Sequence, residues 1–144
     1  MGNLKPSFIL WITRFLIGLV FVINIQCAFI FLTYPKLFAI SFELVGIPGE
    51  VAVQGFGILF IMWNIPYIIA IIHPVKFRIS LFEAIFMQTI GVFGESFIYA
   101  HLPLNYPLLS SSILRFILFD AGGLVSLILA GFLSTAKSIQ TSDY

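Results

Sequence analysis

The sequence predicts an all-α integral membrane protein: a bundle of four transmembrane helices, with a short amphipathic helix in the first, outer loop. Three observations carry that expectation. Of 144 residues, 60% are hydrophobic and 9% charged, with a mean hydropathy of +1.12. Seven Lys/Arg and six Asp/Glu cannot cover a soluble domain of this size with charge. The aromatic share is 17%, with seventeen Phe, which suits a surface that meets lipid. Finally, four apolar segments reach the length of about 20 residues that a helix needs to cross the hydrocarbon. Residues 1–144 read as one membrane domain.

Span one is expected over residues 8–31. The opening "MGNLKPSFILWITRFLIGLV" starts like a signal peptide. Arg14 interrupts the apolar run, no small-x-small cleavage site follows, and hydrophobicity continues to Phe31, so the segment reads as a retained span. Tyr34-Pro35 ends it. In the loop "KLFAISFELVG", Phe38, Phe42 and Val45 fall at helical spacing before Gly46 stops the pattern. A helix at the membrane interface and a connecting helix packed on the bundle both fit that spacing.

Span two, 51–72, follows the breaker Gly46-Ile47-Pro48-Gly49. Within it Pro66 lacks an N–H and should kink the helix near Met62, with Asn64 placed to satisfy a freed carbonyl or a neighbouring helix. Span three, 79–100, lies between His73-Pro74 and Pro103. Span four, 112–133, follows Pro107. Short loops make spans two, three and four antiparallel to their neighbours. With both termini cytoplasmic, Lys5, Arg14, Lys76, Arg78 and Lys137 fall inside and only Lys36 and Arg115 outside.

The composition also excludes functions. A net charge of +1 without a basic patch offers nothing to grip nucleic acid. Cys27 stands alone, which rules out an intrachain disulfide or a CxxC pair, and in apolar surroundings it reads as an inert core residue. His73 and His101 fall at opposite membrane faces, so one chain supplies no metal or haem ligand set. There is no HExxH, glycine-rich phosphate loop or nucleophile elbow. Catalysis here would depend on carboxylates, arginine and a diffusing or borrowed cofactor.

Charged groups at the bilayer centre cost about 2.5–3.5 kcal/mol on insertion scales, so each one present needs a partner, an interface or a wet cavity. Glu83 and Glu95 share span three but sit twelve residues apart, about 18 Å along the axis and roughly 120° around it. They cannot form an acid pair. On the inner side, Glu83 matches Arg14 in depth, which predicts an interhelical Arg14–Glu83 ion pair; a register-fixing role and a proton or substrate role both fit it.

The outer side is richer. Glu95 shares a stripe with Gln88 and Gly91, while Arg115 and Asp120 come from span four, Gln54 from span two, and Asn24 and Gln26 from span one. Arg115 and Asp120 are poorly spaced for pairing with each other. The favoured pairing is Glu95–Arg115, which leaves Asp120 facing an interior cavity where a carboxyl suits proton carriage. A functional pocket and a structural polar cluster are both consistent with this layer. In span four, Gly122, Ser126, Ala130 and Ser134 recur every four residues, the pattern that lets helix backbones approach, either within the bundle or against another protein.

Two stretches carry a family resemblance. "TRFLIGLVFVI" places Arg14 near the start of span one and Gly18 one turn later. "YPKLFAISFELVGIP" resembles the P-x-x-F…G-[IL]-P segment after the first span of DoxX-like membrane proteins. The likeness runs from about Arg14 to Leu133, and Arg14 and the Gly46–Pro48 turn match the family pattern. Trp63-Asn64 stands where that family often carries an acidic residue in its second span. The resemblance implies a four-helix bundle of a prokaryotic cytoplasmic membrane, linked to quinone-coupled oxidation such as the thiosulfate:quinone pathway or to membrane oxidoreductase complexes. Quinone is the cofactor it suggests. Apart from that resemblance, low charge, short loops and abundant Phe fit a non-catalytic accessory subunit that packs against other subunits of a larger membrane complex.

Overall fold

The computed structural model describes residues 6–142, with side chains over 7–135. Lys5 and the Lys137 side chain, both used in the orientation argument, lie outside them. The described residues form helices α1 (Pro6–Thr33), α2 (Pro35–Ser41), α3 (Gly46–Trp63), α4 (Ile65–Ile72), α5 (Arg78–His101) and α6 (Pro107–Ser142). Proline opens α1, α2 and α6, where its missing N–H is one that the first turn leaves unpaired anyway.

Four helical stretches are long and apolar enough to cross a membrane: Ser7–Thr33, Gly46–Ile72, Arg78–His101 and Pro107–Thr135. Each contains its expected span and extends past it. Span two is α3 and α4 together, broken at Asn64, two residues later than the expected kink. Pro66 in the first turn of α4 withholds a donor from the end of α3, so the chain turns just before it.

The first connection holds the seven-residue helix α2. Phe38, Ala39 and Phe42 face the bundle, and Phe31 meets the Phe38 ring at a centroid separation of 4.4 Å, edge to face. Val45 does not share that face. Glu43 takes a positive φ of 55°, the backbone leaves the helix there, and Val45 ends up 88% exposed beyond the bend.

Around the bundle, α1 packs on α3, α4 and α6, and α5 packs on α4 and α6. Helices α1 and α5 therefore face one another across the diagonal. Two apolar clusters fill the interior. Near the α4–α5 turn, Ile17, Val20, Tyr67, Ala70, Leu81, Ala84, Leu127 and Ala130 pack together. Near α2, Phe31, Ala39 and Val53 do so with Phe38, Phe42, Phe60, Phe116 and Cys27 around them. Between the clusters lies a layer of buried polar side chains.

The small-residue stripe on α6 is used inside the bundle. Ser126 Oγ donates to Leu16 O at 3.3 Å, Ala130 is fully buried, and Ser134 Oγ donates to Pro74 O at 3.0 Å. Gly122 alone opens outward, with nothing near the position a Cβ would take.

Candidate functional site

The buried polar layer is built from four of the long segments. Asn64, at the α3–α4 break, donates from Nδ2 to Phe60 O at 2.6 Å and meets Asn24 of α1 in a long 3.5 Å contact. One turn along α4, the Tyr67 hydroxyl donates to Gln88 Oε1 of α5 at 2.7 Å. Gln88 Nε2 in turn donates to Asp120 Oδ1 of α6 at 2.8 Å and to its backbone carbonyl at 3.3 Å. Gln88 thus clamps the carboxyl from one side and the phenol from the other.

Two glycines make the clamp possible. A Cβ on Gly91 would collide with Asp120 Oδ2, and one on Gly123 would lie 2.8 Å from Gln88 Nε2. Each polar side chain rests in the space that a missing side chain leaves on the facing helix, which draws α5 and α6 together.

The clamp is not a proton wire. A carboxamide donates from nitrogen and accepts at oxygen, and it passes a proton only by tautomerising to an imidic acid. Gln88 therefore insulates Tyr67 from Asp120. Any exchange at Asp120 runs through its other oxygen, on the Gly91 side.

Glu95 lies on that side, one turn further along α5. Its Oε2 atom is buried without a hydrogen-bond partner, an uncommon state that asks for a reason. One turn beyond again is Tyr99. With Leu102, Leu104, Pro107, Ser110 and Leu114 it lines an open groove of about 620 Å³ at the α5–α6 turn. Along α5 the order is therefore Tyr99 of the groove, Glu95, Gly91 with Asp120 against it, and Gln88.

Of the residues expected in the outer layer, Gln88 and Asp120 come together, Asn24 meets Asn64, and Glu95 stands one turn beyond Gly91 on α5. Gln54 stands apart, donating to Leu32 O of α1 at 3.3 Å. Arg115 is on an exposed flank of α6, where it donates to Ser112 Oγ at 3.0 Å; that hydroxyl donates to Ser41 O at the end of α2 at 2.8 Å. Its hydrogen bond goes toward α2 rather than to Glu95. Gln26 is exposed on α1 and takes no part in the buried layer.

The inner pair is redirected too. Arg14 donates to Ile72 O at the end of α4, while Glu83 is exposed on α5, across the diagonal from α1. The depths match but the helices are not neighbours. Combining Arg14→Gln with Glu83→Gln should change stability additively, to within about 0.5 kcal/mol. Unfolding titrations of the single and double variants in mixed micelles check this; a larger coupling would place the two side chains in contact.

Tyr67 is the residue that sequence reasoning overlooked. It counts as apolar in composition, yet it stands three residues after Asn64 in "NIPYIIAII", on the same helical face as a buried amide. That spacing is the available signal.

Fold and site together define the class, an α-helical membrane bundle with a carboxyl-bearing polar layer. Compared with protein-family models, curated proteins and solved structures, the chain gives no match.

Proposed function

We propose that this is a small protein of membrane redox chemistry that exchanges protons with a quinone-like carrier along the α5–α6 seam. The observation that carries the reading is Glu95, whose buried Oε2 has no partner and which stands on α5 one turn from Tyr99 of the open groove and one turn from Gly91, where Asp120 rests. A groove of about 620 Å³ with mixed polar and apolar walls is in the size range of small-molecule sites. The DoxX-like segments point to the same chemistry.

A bound quinone supplies a redox couple that takes up two electrons and two protons. The residues of this chain handle the protons. Tyr99, Leu102 and Leu114 would supply apolar contact to the ring, and Ser110 and Ser111 are the lining hydroxyls that could hydrogen-bond a ring oxygen. Glu95 gives or takes the proton, and Asp120, held by Gln88, stands behind it as the reserve site. The electrons come from a membrane oxidoreductase acting on the same carrier.

In this reading the α4–α5 end is cytoplasmic, because Arg14, Lys76 and Arg78 gather there against Lys36 and Arg115 at the other end. The membrane is a prokaryotic cytoplasmic membrane, and α2 lies at its outer interface with Leu37 and Ile40 toward lipid.

Purification from native membranes in mild detergent, solvent extraction and mass spectrometry provide the test. Retained quinone is expected at close to one per chain, and Glu95→Gln is expected to weaken retention. Asp120→Asn should leave the carrier bound and slow its turnover by a partner oxidoreductase about 10²-fold, the usual scale for a lost acid–base group. No retained quinone, together with no effect of Asp120→Asn on turnover, would sink the reading.

One observation favours a second reading, an accessory subunit. Leu37, Ile40, Val45 and Ile47 expose apolar surface around α2, and another membrane subunit seated on that rim would cover it. A monodisperse, folded monomer after gentle extraction would count against this.

A further inference from the structure

We infer that the α4–α5 end holds the phosphate of one anionic phospholipid, recognised by Arg14 together with Lys76 and Arg78. Arg14 enters the membrane about two turns along α1 and is held there by its bond to the Ile72 carbonyl. A guanidinium has five N–H donors, and this one satisfies few of them. Its Nε is buried without a partner, and its hydrogen bond goes to a neutral carbonyl. Glu83, the acid at matching depth, projects from a helix across the bundle. Among the described residues the charge on Arg14 thus has no acidic partner.

The surroundings supply the rest of a headgroup site. The Ile72 carbonyl places Arg14 directly before the His73–Phe77 turn. That turn is closed by Phe77 N donating to His73 O at 2.9 Å and Lys76 N donating to His73 Nδ1 at 3.1 Å. Lys76 and Arg78, both exposed, are thereby held beside the end of α4. Trp11 is 66% exposed, and the Arg14 guanidinium lies 5.4 Å from its ring centroid, the amphipathic arrangement typical of the headgroup level. Exposed Phe15 and Ile72 continue the surface into the acyl region. Cations at the interface with apolar walls beneath fit a phosphate that carries acyl chains better than a free anion.

To test this, the detergent-solubilised full chain is equilibrated with equal amounts of phosphatidylglycerol and phosphatidylcholine. It is then repurified, and retained lipid is counted by native mass spectrometry. One phosphatidylglycerol should be retained in clear preference to phosphatidylcholine. Arg14→Gln should lower that preference about fivefold, the effect of one cation near an anionic headgroup. Lys76→Gln with Arg78→Gln, both on exposed positions, should lower it at least as much, and these variants decide the matter if Arg14→Gln fails to fold. Arg115→Gln at the opposite end should leave it unchanged. Equal retention of the two lipids would overturn the inference. So would a loss with Arg115→Gln equal to that with Arg14→Gln, or complete displacement of the lipid by an equal concentration of inorganic phosphate.

Discussion

Gln88→Leu is expected to destabilise the bundle by about 2–4 kcal/mol, because one change strands two buried groups. Leucine keeps much of the volume but neither donates nor accepts. The Tyr67 hydroxyl then loses its 2.7 Å acceptor and Asp120 its 2.8 Å donor. Each unmade bond costs about 1–3 kcal/mol when the group stays buried. Interhelical bonds in membranes sit toward the lower end of that range, since the unfolded helices find other partners in the bilayer. The sign of the repair is as informative as the loss. Adding Asp120→Leu to Gln88→Leu removes one of the stranded groups, so the double variant should be more stable than the sum of the single effects predicts. Unfolding titrations in mixed micelles read both quantities. Additive losses would mean that Gln88 and Asp120 act independently and that the clamp does not hold the carboxyl.

The bundle was legible because each span announces itself by length and each joint by proline or glycine. The members of the polar layer were legible for a related reason: an amide or carboxyl inside an apolar run must be explained wherever it occurs. Gln88 and Asp120 follow from that argument alone and hydrogen-bond each other, while Asn24 meets Asn64. Partnership was harder to read. Depth follows from counting residues, but adjacency depends on which helices touch and on how each is rotated, and neither is written in a single span. Arg14 and Glu83 agree in depth and fail on adjacency, since α1 and α5 are diagonal. Arg115 lies on the helix beside Glu95 and fails on rotation, its guanidinium reaching Ser112 on the α2 side. Tyr67 was lost to its own dual character, with a ring that joins the apolar cluster and a hydroxyl that joins the polar layer. The stripe of small residues was visible, but whether it served the bundle or a partner depended on where α1 and the α4–α5 turn lie.

Two alanine substitutions three residues apart on α5 should act in opposite directions. Gly94 is exposed and has open space where a Cβ would go, so Gly94→Ala should stabilise the helix by about 0.5–1 kcal/mol through backbone propensity. Gly91→Ala gains the same propensity and loses more. Its methyl group would meet Asp120 Oδ2 and lie 3.3 Å from Asp120 Cγ. Either α5 and α6 separate along a seam that both use for close packing, or the carboxyl swings out of the Gln88 clamp. Overpacking of this kind costs about 1–3 kcal/mol. Losing the Gln88 hydrogen bond adds about 1–3 kcal/mol if Asp120 is the part that yields. A net loss of about 3 kcal/mol is expected. Asp120→Ala removes the atoms in the way, so in that background Gly91→Ala should become as harmless as Gly94→Ala. The comparison also bears on function, because the proposed proton path needs Asp120 Oδ2 directed past Gly91 toward Glu95. If Gly91→Ala and Gly94→Ala prove equally benign in the otherwise unaltered protein, Asp120 does not rest on Gly91, and the ladder from Asp120 through Glu95 to the groove loses its inner rung.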